Sequence, residues 1–171
     1  LKHLILYDFA IHWFDMLRML LPHSEPTRVF ASTAPAPHQT IMPHLLGQAI
    51  VEWPDAQATL AFDAALPHGQ QDRLFVAGSE GSIFSYGETY QDQKLSVRTE
   101  TGEWSPRLQG KWFSDGFRGT MGELLCSIEE DRLPSINAAD NLKSLALCFA
   151  AVASSVSHEP VVPGTVRKLP T

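Results

Sequence analysis

Cysteine is scarce in this chain. Only Cys126 and Cys148 occur among 171 residues, too few for a disulfide-built scaffold. Both lie in apolar, helix-like stretches, so the simple expectation is two free, buried thiols in a reducing, cytoplasmic compartment. Blocks of Lys and Arg are absent and the net charge is −6. A nucleic-acid surface is therefore disfavoured, because phosphate binding needs a basic face. No apolar run approaches the length of a membrane span. The sequence lacks a P-loop, a G-x-S-x-G elbow, a C-x-x-C pair and a G-x-G-x-x-G turn, so it offers no phosphate cradle or nucleophile elbow of its own. Beyond the Asp/His stretch described below, no second His/Cys cluster has ligand spacing, and no metal site is expected. The opening Leu1-Lys2-His3-Leu4-Ile5-Leu6 begins inside an apolar segment without an initiator Met, which suggests the interior of a longer chain.

What is present is a globular composition, 44% hydrophobic and 19% charged, in a length that suits one domain over residues 1–171. The spacing predicts a helix from about Phe9 to Leu21, stopped by Pro22. Apolar residues cover most of its circumference. Asp8, His12, Asp15 and Arg18, separated by four, three and three residues, form one narrow polar stripe. A thin stripe on a mostly apolar helix implies a cavity or an interface rather than an ordinary solvated face.

The middle of the chain reads as hairpins. Strands are expected over 27–33, 45–53, 56–63, 73–77, 82–86, 94–99 and 103–108, with turns at Pro54-Asp55, Gly78-Ser79-Glu80-Gly81 and Glu100-Thr101-Gly102. Two helices close the chain. One carries Phe117, Met121, Leu124, Leu125 and Ile128, is capped by Ser114 or Asp115, and contains Gly116, Gly119 and Gly122, which suggest a close backbone approach or a loose first turn. The other starts at Asn137 with Asp140 three residues on, close to a capping box, and shows Leu142, Leu145, Phe149, Val152 and Val156 on its apolar face. No βαβ alternation occurs. The expected class is α+β: a mostly antiparallel, open sheet with helices packed on one face.

Asp8 and His12 lie one turn apart. A carboxylate beside an imidazole fixes its tautomer and supports its protonated form, a workable base for a hydroxyl proton. Asp15, a turn further, could bind a polar substrate or orient His12. From spacing alone the commoner case is structural, with Asp8 capping the helix and His12 as a satisfied core partner. Trp112 and Phe113, beside Lys111 and Arg118, could stack on and hydrogen-bond a sugar; such aromatics more often anchor the start of a helix.

Asp8-x-x-x-His12-x-x-Asp15 resembles the D-x-x-x-H-x-x-D signature of the glucose–fructose oxidoreductase / inositol dehydrogenase (Gfo/Idh/MocA) family. Further matches follow in order: Arg73 to Ser82 resembles the family's strand, Gly-Thr-Glu-Gly turn and next strand; Asp115 to Met121 followed by Pro134-x-x-Asn137-x-x-Asp140-Asn141-Leu142 resembles its last helices; Ala151 to Pro163 resembles its closing segment. The resemblance implies a glyceraldehyde-3-phosphate dehydrogenase-like C-terminal domain, dependent on an N-terminal Rossmann domain for NAD or NADP. It implies a sugar, cyclitol or related polyol as substrate, and homodimers or tetramers formed through the sheet. His12 then takes the acid/base role, Asp8 orients it or binds substrate, and Asp15 binds substrate; Trp112 and Arg118 stand beside these as substrate-contact candidates from the reading of the residues alone, not from the resemblance. The family's Glu-Lys-Pro motif and Rossmann fingerprint are missing, so the fragment alone is expected to be inactive. The alternative is a stand-alone, non-catalytic binding or oligomerisation module.

Overall fold

The computed structural model describes residues 2–89 and 91–168. The chain divides into two compact units, Leu1–Ala65 with Ile136–Thr171, and Leu66–Ser135. The α+β class expected from the hairpin run holds. The strands form two open antiparallel sheets, β1–β2–β3 and β4–β5–β6–β7.

In the first unit a single wide π-type turn, Ile5–Phe9, runs directly into α1, Ala10–Leu20. The helical stretch thus begins about one turn earlier than apolar spacing suggests. Strands β1 (Arg28–Ala34), β2 (Leu46–Glu52) and β3 (Gln57–Asp63) pair in register, Ala31 facing Ala49 and Ala49 facing Leu60. Alternation with period two puts Val29, Ala31, Ala49, Val51, Leu60 and Phe62 in the core, while Phe30 and Ile50 face outward.

Helix α3, Ala138–Ser157, packs across β1 and against α1. Asn137 Oδ1 accepts from the Asp140 N–H at 3.0 Å, as its cap-and-acid pattern foretells. The helix face that enters the core differs from the expected one. Leu142 and Val156 are exposed, whereas Ser144, Leu147, Cys148, Ala150, Ala151, Val152 and Ser154 are buried. Small residues win here because they let the helix backbone approach the sheet: Ser154 Oγ accepts from the Ala31 N–H at 2.9 Å. Gly47 serves the same end on β2. A Cβ there would lie 3.0 Å from the Ile5 side chain, so glycine lets the wide turn lie against the sheet. Beyond α3, Val161 exchanges two 2.8 Å backbone hydrogen bonds with Val29 along the β1 edge. Cys148 is buried, donates to the Leu6 carbonyl at 3.1 Å, and burial pushes its thiol up to about 12. It is an inert packing group. Cys126, expected to be buried, is exposed.

The second unit holds β4 (Asp72–Ala77), β5 (Gly81–Gly87), β6 (Lys94–Thr99), β7 (Gly102–Trp104) and α2 (Phe117–Glu129). β7 ends well before the expected Leu108, and Pro106, which cannot donate to a ladder, lies in the extra stretch. Gly81 must be glycine, since a Cβ would sit 2.1 Å from the Arg98 carbonyl oxygen. One face of this sheet presents Phe75, Phe84 and Tyr86, all exposed, with Phe84 and Tyr86 stacked at 5.2 Å. A second π-type turn, Trp112–Gly116, leads into α2, and Asp115 Oδ2 accepts from the Lys111 N–H at 2.6 Å instead of capping forward. Gly116, Gly119 and Gly122 face open space, so no close backbone approach explains them. Arg132 closes the end of α2 by donating to Glu123 at 2.8 and 3.1 Å, which holds the Glu123 carboxyl near about 2.

Candidate active site

Helix α1 is held from behind. Ala10, Phe14 and Leu17 are buried, as are Ile5 and Leu6 of the turn before it. The opposite edge carries the polar stripe, with Asp8, His12 and Asp15 all exposed and Arg18 largely covered. The expected division into an apolar body and a polar stripe therefore exists. Asp8 sits within the π-type turn and His12 follows in the regular helix. Such turns are rare and concentrate at functional sites. Both of them in this chain's described residues fall on segments singled out by sequence: the one with Asp8 and the one with Trp112.

Aromatic rings stand beside His12. Its imidazole meets Trp13 edge-on at 6.2 Å; Trp13 stacks on Phe9 at 4.9 Å; both rings pack edgewise against Phe62. Phe9, where the sequence places the helix start, is 42% exposed. Its i, i+4 spacing from Trp13 was the available signal for this aromatic ledge.

Asp15 has partners that spacing along one helix could not reveal. Its Oδ1 accepts from Ser144 Oγ of α3 at 2.5 Å and lies 3.7 Å from Arg18. Arg18 in turn donates from Nη2 to Asp140 Oδ1 at 2.6 Å, and from Nη1 to Asp140 Oδ2 at 3.2 Å and to Ser144 Oγ at 2.8 Å. Asp15 also borders a small hollow of about 290 Å³ with Asn137, Asp140 and Asn141. Trp112 and Arg118 are exposed and belong to the second unit, whereas Asp8, His12 and Asp15 belong to the first.

The Arg18 hydrogen bond, then the nearby charge, holds the Asp140 carboxyl below its usual range. A depressed folded-state pKa contributes stability above the unfolded value, and that contribution is lost as pH falls through the folded value. We expect Asp140→Asn to flatten the acid limb of the unfolding profile below the ordinary carboxylate range, with little effect near neutrality because Asp140 is half exposed. Urea midpoints measured across acidic pH would check this. An unchanged acid limb would show that the pair adds nothing.

The described residues do not build a dinucleotide cradle. Both sheets are antiparallel, without the parallel strand–glycine turn–helix unit that receives a pyrophosphate.

Comparison with known proteins bears on the same segment. A family model described as the GFO/IDH/MocA C-terminal domain matches residues 2–84, which include the whole polar stripe. No curated protein matches. Among solved structures, an oxidoreductase from Agrobacterium radiobacter in complex with NAD+, L-tartaric acid and magnesium superimposes with a TM-score of 0.82 at 19% identity, over 96% of this chain and 50% of that one. Aldose-aldose oxidoreductase from Caulobacter crescentus, complexed with glycerol, gives 0.71 at 18% identity, over 90% of this chain and 45% of that one. The WlbA dehydrogenase from Bordetella pertussis, in complex with NADH and UDP-GlcNAcA, gives 0.69 at 16% identity, over 94% of this chain and 45% of that one. These structures share the fold, and the chain spans about half the length of each. Residues 2–84, just under half of the chain, are thus similar to the GFO/IDH/MocA C-terminal domain.

Proposed function

We propose that this chain is a GFO/IDH/MocA C-terminal domain and forms the substrate-binding part of an NAD(P)-dependent dehydrogenase acting on a sugar, cyclitol or related polyol. The observation that carries the reading is the exposed Asp8–His12–Asp15 stripe on a helix whose other side is locked into the core, within the segment that the family model covers. In this reading the substrate hydroxyl meets His12, which accepts its proton at an imidazole nitrogen as the alcohol is oxidised and returns it in the reverse direction. Asp8 orients the imidazole or holds substrate. Asp15 accepts from a second substrate hydroxyl. The nicotinamide, which takes the hydride, is assigned to a separate Rossmann domain, because the described residues form no cradle for it. The chain by itself is then inactive.

Exposed Phe75, Phe84 and Tyr86 on the β4–β7 sheet support assembly into a homodimer or tetramer through that face. The net charge of −6 favours a small molecule over nucleic acid as ligand, and no described helix is long and apolar enough to cross a membrane. The test is a spectrophotometric screen of the full-length protein with NAD+ and NADP+ against myo-inositol, D-glucose and related polyols. Reduction of nicotinamide with at least one of them is expected. Polyol binding without any reduction would instead favour a non-catalytic binding module.

A further inference from the structure

The geometry points to a polarised relay, Arg18 to Ser144 to Asp15, that fixes the Asp15 carboxylate for substrate; we propose Ser144 and Arg18 as positioning residues of the site. The proposal rests on the functional reading above and adds to it residues that lie outside the motif. Its direction follows from hydrogen counting. A guanidinium can only donate, so the 2.8 Å contact from Arg18 Nη1 makes Ser144 Oγ an acceptor. The hydroxyl has one proton, and the 2.5 Å contact commits it to Asp15 Oδ1.

Each member is itself held. Ser144 is fully buried on α3. Arg18 is gripped by both carboxylate oxygens of Asp140 and by the Asp140 carbonyl at 3.2 Å. The Asp140 N–H is fixed by the Asn137 cap. One oxygen of Asp15 is thus pinned by a rigid partner, while its side chain stays 54% exposed. Its other oxygen has no partner among the described residues and is the one available to a ligand hydroxyl. A carboxylate oriented beforehand loses less freedom on binding than a free one, so the relay acts on substrate affinity more than on the chemical step.

The experiment measures KM and kcat of the full-length protein for myo-inositol, or for D-glucose if that is the polyol oxidised. We expect Ser144→Ala to raise KM about tenfold, the scale of one charge-assisted hydrogen bond, with kcat falling much less. Ser144→Thr, which keeps the donor, should rescue most of the loss. In an Asp15→Asn background, Ser144→Ala should add nothing further, because the two residues act as one unit. If Ser144→Ala does not fold, Arg18→Lys, which removes the two-pronged grip, should raise KM in the same direction. An unchanged KM, or a Ser144→Ala effect that adds fully to Asp15→Asn, overturns the relay while a dead His12→Asn enzyme leaves the functional reading standing. A His12→Asn enzyme that turns over normally, or a wild type that oxidises no polyol, overturns the functional reading and the relay with it.

Discussion

Replacing His12 with asparagine is expected to lower turnover of the full-length protein by about two to four orders of magnitude, the range that positioned proton transfer supplies. Asparagine keeps polar bulk at the position and cannot take up the proton. His12 is exposed on α1, and exposed substitutions of this kind usually change stability by less than about 0.5 kcal/mol. The loss should therefore appear in kcat and kcat/KM without a matching fall in the unfolding midpoint. Steady-state kinetics beside a thermal melt separate the two. A variant that melts normally and turns over at the wild-type rate removes His12 from the chemistry. A variant that has lost both fold and activity would show that His12 is a packing group, the commoner role for an isolated Asp/His pair.

Phe14→Ala is expected to destabilise the protein by about 3–5 kcal/mol, the cost of emptying a large aromatic site in a packed core. Phe14 is fully buried on the inner side of α1, in the cluster that includes Leu6, Leu17, Leu147, Cys148 and Val152. Nothing polar lies at the position to be relieved by its loss. The same helix carries His12 and Asp15 on its outer side, so the substitution loosens the scaffold of the stripe. Urea unfolding gives the size of the effect, and a shift below about 1 kcal/mol would mean that the core recloses around the gap. Activity of the folded fraction should fall far less than with His12→Asn, because the chemical groups remain.

The two variants together describe how α1 works, and they also show what the sequence could reveal. The stripe was legible because spacings of four, three and three place side chains on one helix edge whatever the tertiary structure. The antiparallel hairpins were legible from turn residues, and the Asn137 cap from its distance to Asp140, since both are local. The family resemblance matched ordered motifs, and the structure has the fold they implied.

What was not legible is non-local. Counting large apolar residues put Leu142 and Val156 inside α3, but close approach to β1 selected Ser144, Cys148, Ala151 and Ser154. Helical spacing placed the start at Phe9, since no residue pattern distinguishes a π-type turn from a regular one, and Ile5 to Phe9 came out as that turn. Asp15 looked like a substrate ligand or an orienter of His12. Its bond to Ser144 spans 129 positions and becomes visible only when α1 and α3 are packed. The strands gave no sign that they split into two sheets, because pairing between neighbouring hairpins is decided by contacts far apart in sequence.

A crystal structure of the full-length protein with nicotinamide and a polyol it oxidises tests the central claim most directly. The account predicts the reacting carbinol oxygen within hydrogen-bond reach of a His12 ring nitrogen, at about 3 Å, with a neighbouring hydroxyl on the unpinned oxygen of Asp15. A polyol seated productively against the nicotinamide, with no side chain of α1 touching it, would contradict the account.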